Sequence, residues 1–186
     1  MKLEFSFAEG KVVILVTGCR SGFGKCIAID AARKGHVVYA GLRDVNTASA
    51  LITESEGLNV FPVQLDVTVP EEREAVVARI IREHGQLDGL VNNAGVALGG
   101  FLELVEEDEL RKVFEVNVFG LWSLTNEVLP FMRKAGAGKI INISSGSGFM
   151  AFPGLGAYAA SKFALEGMTE AWRHELALFG IEIYLI

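Results

Sequence analysis

Short apolar runs alternate along the chain with longer segments of helical period. Lys11–Val16 is almost continuously apolar, the pattern of a strand buried on both faces. Val37–Leu42, Asn59–Leu65, Leu87–Val91, Lys139–Ile143 and Ile181–Ile186 read as five further strands. Between them lie helical segments. Phe23–Lys34 closes at Gly35, and Asn46–Glu56 is short, with Asn46 at its N-cap position. Pro70–Glu83 starts with proline and acids in its first turn and ends before Gly85. Glu106–Lys134 and Gly156–Phe179 are long, and the first contains Pro130. Strictly alternating strands and helices predict right-handed βαβ units: an α/β domain with a doubly wound parallel sheet between two helical layers.

Composition narrows the class. The 186 residues suit one domain, here spanning 1–186, with enough chain to bury a core. Apolar residues make up 51% and charged residues 22%, which excludes a disordered chain. Seventeen basic against 23 acidic side chains give a net charge of −6, which argues against a nucleic-acid or anionic-membrane surface. Met1–Gly10 is too acidic and broken for a signal peptide, and no apolar run approaches the ~18 residues of a spanning helix. Cys19 and Cys26 fit neither a disulfide framework nor a zinc site and are expected as two reduced, buried thiols of a cytoplasmic protein.

The first strand runs into Thr17-Gly-Cys-Arg-Ser-Gly-Phe-Gly24. Gly18, Gly22 and Gly24 at a strand-to-helix turn let the backbone approach a pyrophosphate, whose charge the next helix's N-terminus meets. The second strand ends in Tyr39-Ala-Gly-Leu-Arg-Asp44. Gly41 stands near the place where an NAD binder carries an acid, and Arg43 and Arg20 are close by. Two guanidiniums without that acid suit a 2′-phosphate, so NADP(H) is expected in preference to NAD(H). The competing reading makes Asp44 the acid and Arg43 a solvated surface residue.

The last long helix carries Tyr158-Ala-Ala-Ser-Lys162, a tyrosine and a lysine one turn apart. An ammonium beside a phenol favours the phenolate and lowers its pKa from ~10, which suits a general acid/base. Alone, the pair is equally a core tyrosine above a surface lysine. Its setting points to chemistry. Asn142-Ile-Ser-Ser145 and Asn92-Asn-Ala-Gly95 end two strands at the carboxyl edge, where open α/β sheets bind ligands. Asn117 lies inside an apolar helical stretch and needs a partner.

In order and spacing, the glycine turn, Asn92–Gly95, Asn117, Ser145 and Tyr158–Lys162 resemble the motifs of the short-chain dehydrogenase/reductase family. The stretch Ala160-Ser-Lys-Phe-Ala-Leu-Glu-Gly167, with the glycine turn and Tyr39–Asp44, is similar to the branch of 17β-hydroxysteroid and retinol dehydrogenases. The resemblance implies a Rossmann-like sheet in the order 3-2-1-4-5-6 and an oxidoreductase that interconverts a small-molecule carbonyl and an alcohol without a metal. Tyr158 would exchange the proton, Lys162 would bind the nicotinamide ribose and tune Tyr158, and Ser145 would orient the substrate oxygen. Asn117 would hold a water linking Lys162 to solvent. Thr17 would brace the glycine loop, and Gly18, Arg20, Ser21, Gly22, Phe23, Gly24 and Arg43 would line the adenosine diphosphate. Asp66 and Val67 would meet the adenine, with loop capping an equal role for Asp66; Asn93, Ala94 and Gly95 would follow the cofactor channel.

Phe149, Met150, Phe152, Leu155 and Leu98 lie where an apolar substrate wall, or core, would form. The family also pairs its two long helices across a homodimer or homotetramer interface, for which Leu121, Trp122, Phe131, Met168 and Trp172 are candidates, with some of them expected to pack on the chain's own sheet instead. His36, His84 and His174 show no metal spacing, and the acids from Glu103 to Glu109 suit a helix start. Family members continue beyond a sixth strand into a lid and a seventh strand, which these 186 residues lack, so the chain is expected as a piece of a longer protein, a naturally short member or a module without catalysis. The alternatives are a non-catalytic nucleotide-binding or dimerising module and, among enzymes, a 3-oxoacyl reductase.

Overall fold

The computed structural model describes residues 12–186. Lys11 and the Met1–Gly10 stretch lie outside the described residues. Six strands form one parallel sheet: β1 Val13–Val16, β2 Val37–Leu42, β3 Val60–Gln64, β4 Gly89–Asn92, β5 Gly138–Asn142 and β6 Ile181–Leu185, in the order β3-β2-β1-β4-β5-β6. The helices are α1 Gly22–Arg33, α2 Ser49–Glu54, α3 Pro70–His84, α4 Glu107–Phe114, α5 Leu121–Ala135 and α6 Gly156–Ala177. Strand β1 shows why its run is uninterrupted. Val13 and Leu15 join a core layer with α3, α5 and α6, while Ile14 and Val16 join the opposite layer with α1 and α2. Because every strand is parallel, all the loops after the strands gather at one edge.

The element types match the sequence reading, with two departures that have local causes. Asn46 does not cap the second helix. Asp44 accepts from the Asn46 amide at 3.0 Å and opens a short 3-10 turn, Val45–Thr47, ahead of α2. The long helix expected over 106–134 is interrupted by a π turn, Glu115–Gly120, between α4 and α5. Gly120 explains its fit against the loop after β3: a Cβ there would stand 2.8 Å from the Val67 carbonyl oxygen.

One expectation of burial is corrected: Cys19 is buried but Cys26 is exposed, because it lies on the outer face of α1. Of the five interface candidates, Leu121 and Trp172 are the ones packed in the chain's own core. Among the long helices' apolar residues, Phe119, Trp122 and Phe163 are the ones about half exposed.

Candidate active site

The glycine turn is built by close backbone approach. Gly18 and Gly22 adopt φ of +72° and +60°, a region that L side chains rarely enter. A Cβ on Gly24 would lie 2.4 Å from both the Gly18 carbonyl oxygen and the Asn93 amide nitrogen; one on Gly18 would lie 2.9 Å from the Ala94 Cα. Thr17 ties this turn to the loop after β4. Its buried Oγ1 accepts from the Asn93 and Ala94 amides at 3.0 and 2.9 Å and donates to the Val91 carbonyl at 3.3 Å. Asn93 answers by donating from Nδ2 to the Thr17 and Gly18 carbonyls at 2.9 and 3.2 Å. Asn93 therefore spends its amide on shaping the turn.

The residues fit a dinucleotide. Helix α1 begins at Gly22, Ser21 makes no side-chain cap, and no acid stands in the first turn. The leading amides of the helix are thus left to meet an anion. A Cβ on Gly22 would meet nothing within 4 Å, so the turn faces open space. Arg20, Ser21 and Phe23 are exposed beside it, as is Arg43 beyond β2. Asp44 turns Oδ1 onto Asn46, at 3.0 Å from both its backbone and side-chain nitrogens. Asp66 accepts at Oδ1 from the Thr68 amide and hydroxyl at 2.9 and 2.8 Å, the capping role. The Val67 side chain is buried, and its carbonyl accepts from Arg73 at 2.7 Å.

Beyond β4 and β5, α6 organises the polar cluster. Lys162 is buried, and its Nζ donates to the Ile143 carbonyl at 2.8 Å and stands 5.8 Å from the centre of the Tyr158 ring. Burial holds the Lys162 pKa below its ordinary value, and the Glu166 carboxylate opposes that shift. Asn117 is seated in the π turn and buried. Its Oδ1 accepts from the Val96 amide at 2.8 Å, and its Nδ2 donates to the Val96 carbonyl at 2.8 Å and to Ser161 Oγ at 3.0 Å. Ser161 Oγ in turn donates to the Tyr158 carbonyl at 2.7 Å. Ala94 is half-buried beside Thr17, and Gly95 leads the loop past this group; a Cβ on Gly95 would lie 3.3 Å from Asn117 Oδ1 and 3.8 Å from Lys162 Nζ. Half-buried Ser145 opens a 3-10 turn, Gly146–Gly148, by accepting at Oγ from the Ser147 amide at 3.1 Å. That turn packs on α6, which brings Ser145 to the helix that carries Tyr158.

Sequence reasoning missed several members. Ser161 and Glu166 sit three and eight residues after Tyr158 in plain helical positions. Helical spacing was the available signal: Glu166 lies one turn after Lys162 on the same face. The other omission is a buried chain of amides and hydroxyls. Asn92 Nδ2 donates to Thr125 Oγ1 at 3.1 Å and to Asn142 Oδ1 at 2.9 Å, and Asn142 Nδ2 donates to Thr169 Oγ1 at 2.8 Å. It ties β4 and β5 to both long helices beneath the cluster.

The chain is similar to known proteins in sequence and fold. The sequence profile of the short chain dehydrogenases matches residues 12–186. The chain belongs to the short-chain dehydrogenase family. It is 43% identical over 175 residues to 3-ketodihydrosphingosine reductase of Bacteroides thetaiotaomicron, covering 94% of this chain and 62% of the relative. It is 36% identical over 182 residues to 17-beta-hydroxysteroid dehydrogenase type 1 of Homo sapiens, covering 95% and 56%. Among solved structures, a metagenomic short-chain oxidoreductase in complex with NADP superposes with a TM-score of 0.88 at 32% identity, covering 94% of this short-chain dehydrogenase and 80% of that chain. An NAD+-bound xylitol dehydrogenase superposes with a TM-score of 0.89 at 26% identity, covering 94% and 68%. The chain thus spans less than two thirds of the length of these two curated relatives.

Proposed function

We propose that this short-chain dehydrogenase interconverts a carbonyl and a secondary alcohol by hydride transfer with NADP(H). The observation that carries the reading is the convergence at one sheet edge of two things: a glycine turn leading to an uncapped helix N-terminus, and a buried lysine beside a half-buried tyrosine. When bound, the nicotinamide supplies or accepts the hydride.

The chain's own residues do the rest. Gly18, Gly22 and Gly24 let the pyrophosphate approach the leading amides of α1. Arg20 and Arg43 meet a 2′-phosphate, while Asp44 is occupied with its own turn. Asp66 keeps its Oδ2 for the adenine while Oδ1 caps the loop. In reduction, Ser145 donates to the substrate oxygen and Tyr158 gives it the proton; in oxidation Tyr158 takes that proton. Lys162 binds the ribose hydroxyls, and its charge compensates negative charge on the tyrosine oxygen. Asn117 holds the Val96 loop and α6 together and, through the remaining lone pair of Oδ1, a water that relays protons to Lys162.

An apolar substrate is supported by the loops flanking this cluster. Phe101, Leu104, Phe149 and Met150 are all more than half exposed, on two loops joined by a bridge between Gly100 and Leu155. Exposed Phe119, Trp122 and Phe163 on the long helices support a homo-oligomer built through them.

The test is titration with NADPH and NADH, followed by a panel of steroid, long-chain and polyol ketones. NADPH should bind at least about tenfold more tightly than NADH, a difference of about 1.4 kcal/mol, and the apolar ketones should be reduced fastest. NADH binding at least as tightly overturns the roles of Arg20 and Arg43. NADPH binding with no turnover above a Tyr158→Phe control establishes the rival, a nucleotide-binding module without catalysis.

A further inference from the structure

We propose that Glu166 is a positioning residue that brackets the Ser145 turn and sustains the charge on Lys162. This inference rests on the proposed reduction and assigns a residue to it.

Lys162 and Glu166 stand one turn apart on the same helix face. Lys162 Nζ takes the Ile143 carbonyl at 2.8 Å, and Glu166 Oε1 takes the hydroxyl of the next residue, Ser144, at 2.5 Å. Two successive backbone positions after β5 are thereby held by two successive turns of one helix. Glu166 also reaches the far end of the segment. A Cβ on Gly148 would lie 2.6 Å from Glu166 Oε1 and 3.0 Å from its Cγ, so only glycine lets the turn settle on the carboxylate. Ser145 lies between these two contacts. It closes its own turn, accepting at Oγ from the Ser147 amide at 3.1 Å and at its carbonyl from the Gly148 amide at 2.8 Å. One carboxylate therefore bonds the residue before Ser145 and lies close against the residue that ends its turn. That carboxylate, one helical turn after Lys162, also opposes the penalty that burial places on that ammonium.

Three variants separate these parts. Glu166→Gln keeps the shape and an acceptor for Ser144 but removes the charge. Ser144→Ala removes the hydrogen bond but keeps the charge, and Glu166→Ala removes both. Two readouts need no turnover. With [ε-13C]lysine labelling, and Lys162 assigned by its loss in Lys162→Arg, Glu166→Gln should lower the Lys162 titration midpoint by about half a pH unit or more. Ser144→Ala should leave that midpoint in place. Amide exchange at Ser147 and Gly148 should quicken at least about tenfold in Ser144→Ala and Glu166→Ala, a loss of about 1.4 kcal/mol of protection. In the carbonyl reduction, Ser144→Ala should lower kcat while KM for NADPH holds, because it loosens the Ser145 turn and leaves the charge beside Lys162 in place; Glu166→Ala should lower kcat too. Should Glu166→Ala fail to fold, Ser144→Ala carries the same readout. An unmoved Lys162 midpoint in Glu166→Gln, or unmoved exchange in Ser144→Ala, overturns the proposal. A wild-type protein that reduces no carbonyl refutes the proposed function instead, and the two NMR readouts still decide whether Glu166 holds this segment.

Discussion

Replacing Thr17 by valine removes one oxygen from a side chain that is 1% exposed and keeps its shape. That oxygen is the acceptor for two backbone amides, Asn93 and Ala94, and a weak donor to Val91. An amide left unpaired away from water costs about 1–3 kcal/mol. The Asn93 amide keeps the Val91 carbonyl at 3.1 Å as a second acceptor, so the amide left unpaired is that of half-buried Ala94, and the loss amounts to about 1–2 kcal/mol. For a domain of this size each kcal/mol moves Tm by about 2–4 °C, so a fall of about 2–8 °C is expected. The glycine turn also loses its tie to the loop after β4, so NADPH affinity should fall at least about tenfold, or about 1.4 kcal/mol. Thermal unfolding by circular dichroism and NADPH titration by fluorescence measure the two effects. Thr17→Ser, which keeps the oxygen, should recover most of both. A Thr17→Val protein within about 1 °C of wild type would refute the claim that this hydroxyl joins the two loops.

Other expectations follow from the same contacts. Gly24→Ala forces backbone apart at the Gly18 carbonyl, so NADPH binding should be lost; titration within about threefold of wild type, or about 0.7 kcal/mol, contradicts this. Burial first, and Lys34 second, hold the His36 pKa below its ordinary value of 6.5. The unfolded chain then takes the proton first, so stability falls as pH drops from about 6.5 through the lower folded value. His36→Gln removes that loss, and its Tm should gain on wild type between about pH 7.5 and about pH 5; parallel curves contradict the sign. Burial pushes the Cys19 thiol far up while Cys26 is exposed, so a thiol reagent should label Cys26 in the native protein and Cys19 only after denaturation. Mass spectrometry of the digested adduct reads the outcome.

The hydrophobic pattern carried most of the fold, because strands buried on both faces leave continuous runs and the helices between them end in glycine. It missed the π turn. Val113–Leu121 reads as regular helix, and the bulge depends on how Gly120 meets Val67 across the sheet's loops. It left open whether Leu121 and Trp172 meet a partner or the chain's own sheet. Apolar character does not say whether a helix faces its own sheet or a partner. The site's backbone was legible where residue type is compelled, as at Gly18, Gly24 and Lys162. The partners of Asn117 were not, because Val96 and Ser161 come from other elements and only tertiary packing brings them to its amide. Glu166 escaped for the same reason: its meaning lies in Ser144 and Gly148, on a loop far from it in sequence.

Tyr158, supported by Lys162, is proposed to move the proton in a carbonyl reduction. The rate of NADPH consumption with an apolar ketone for wild type and for Tyr158→Phe, beside the NADPH Kd of each, tests that role. A kcat loss of about 10²-fold or more is expected with the Kd held within about twofold, since the ring's hydroxyl acts on the substrate oxygen. Equal rates in the two proteins would overturn it.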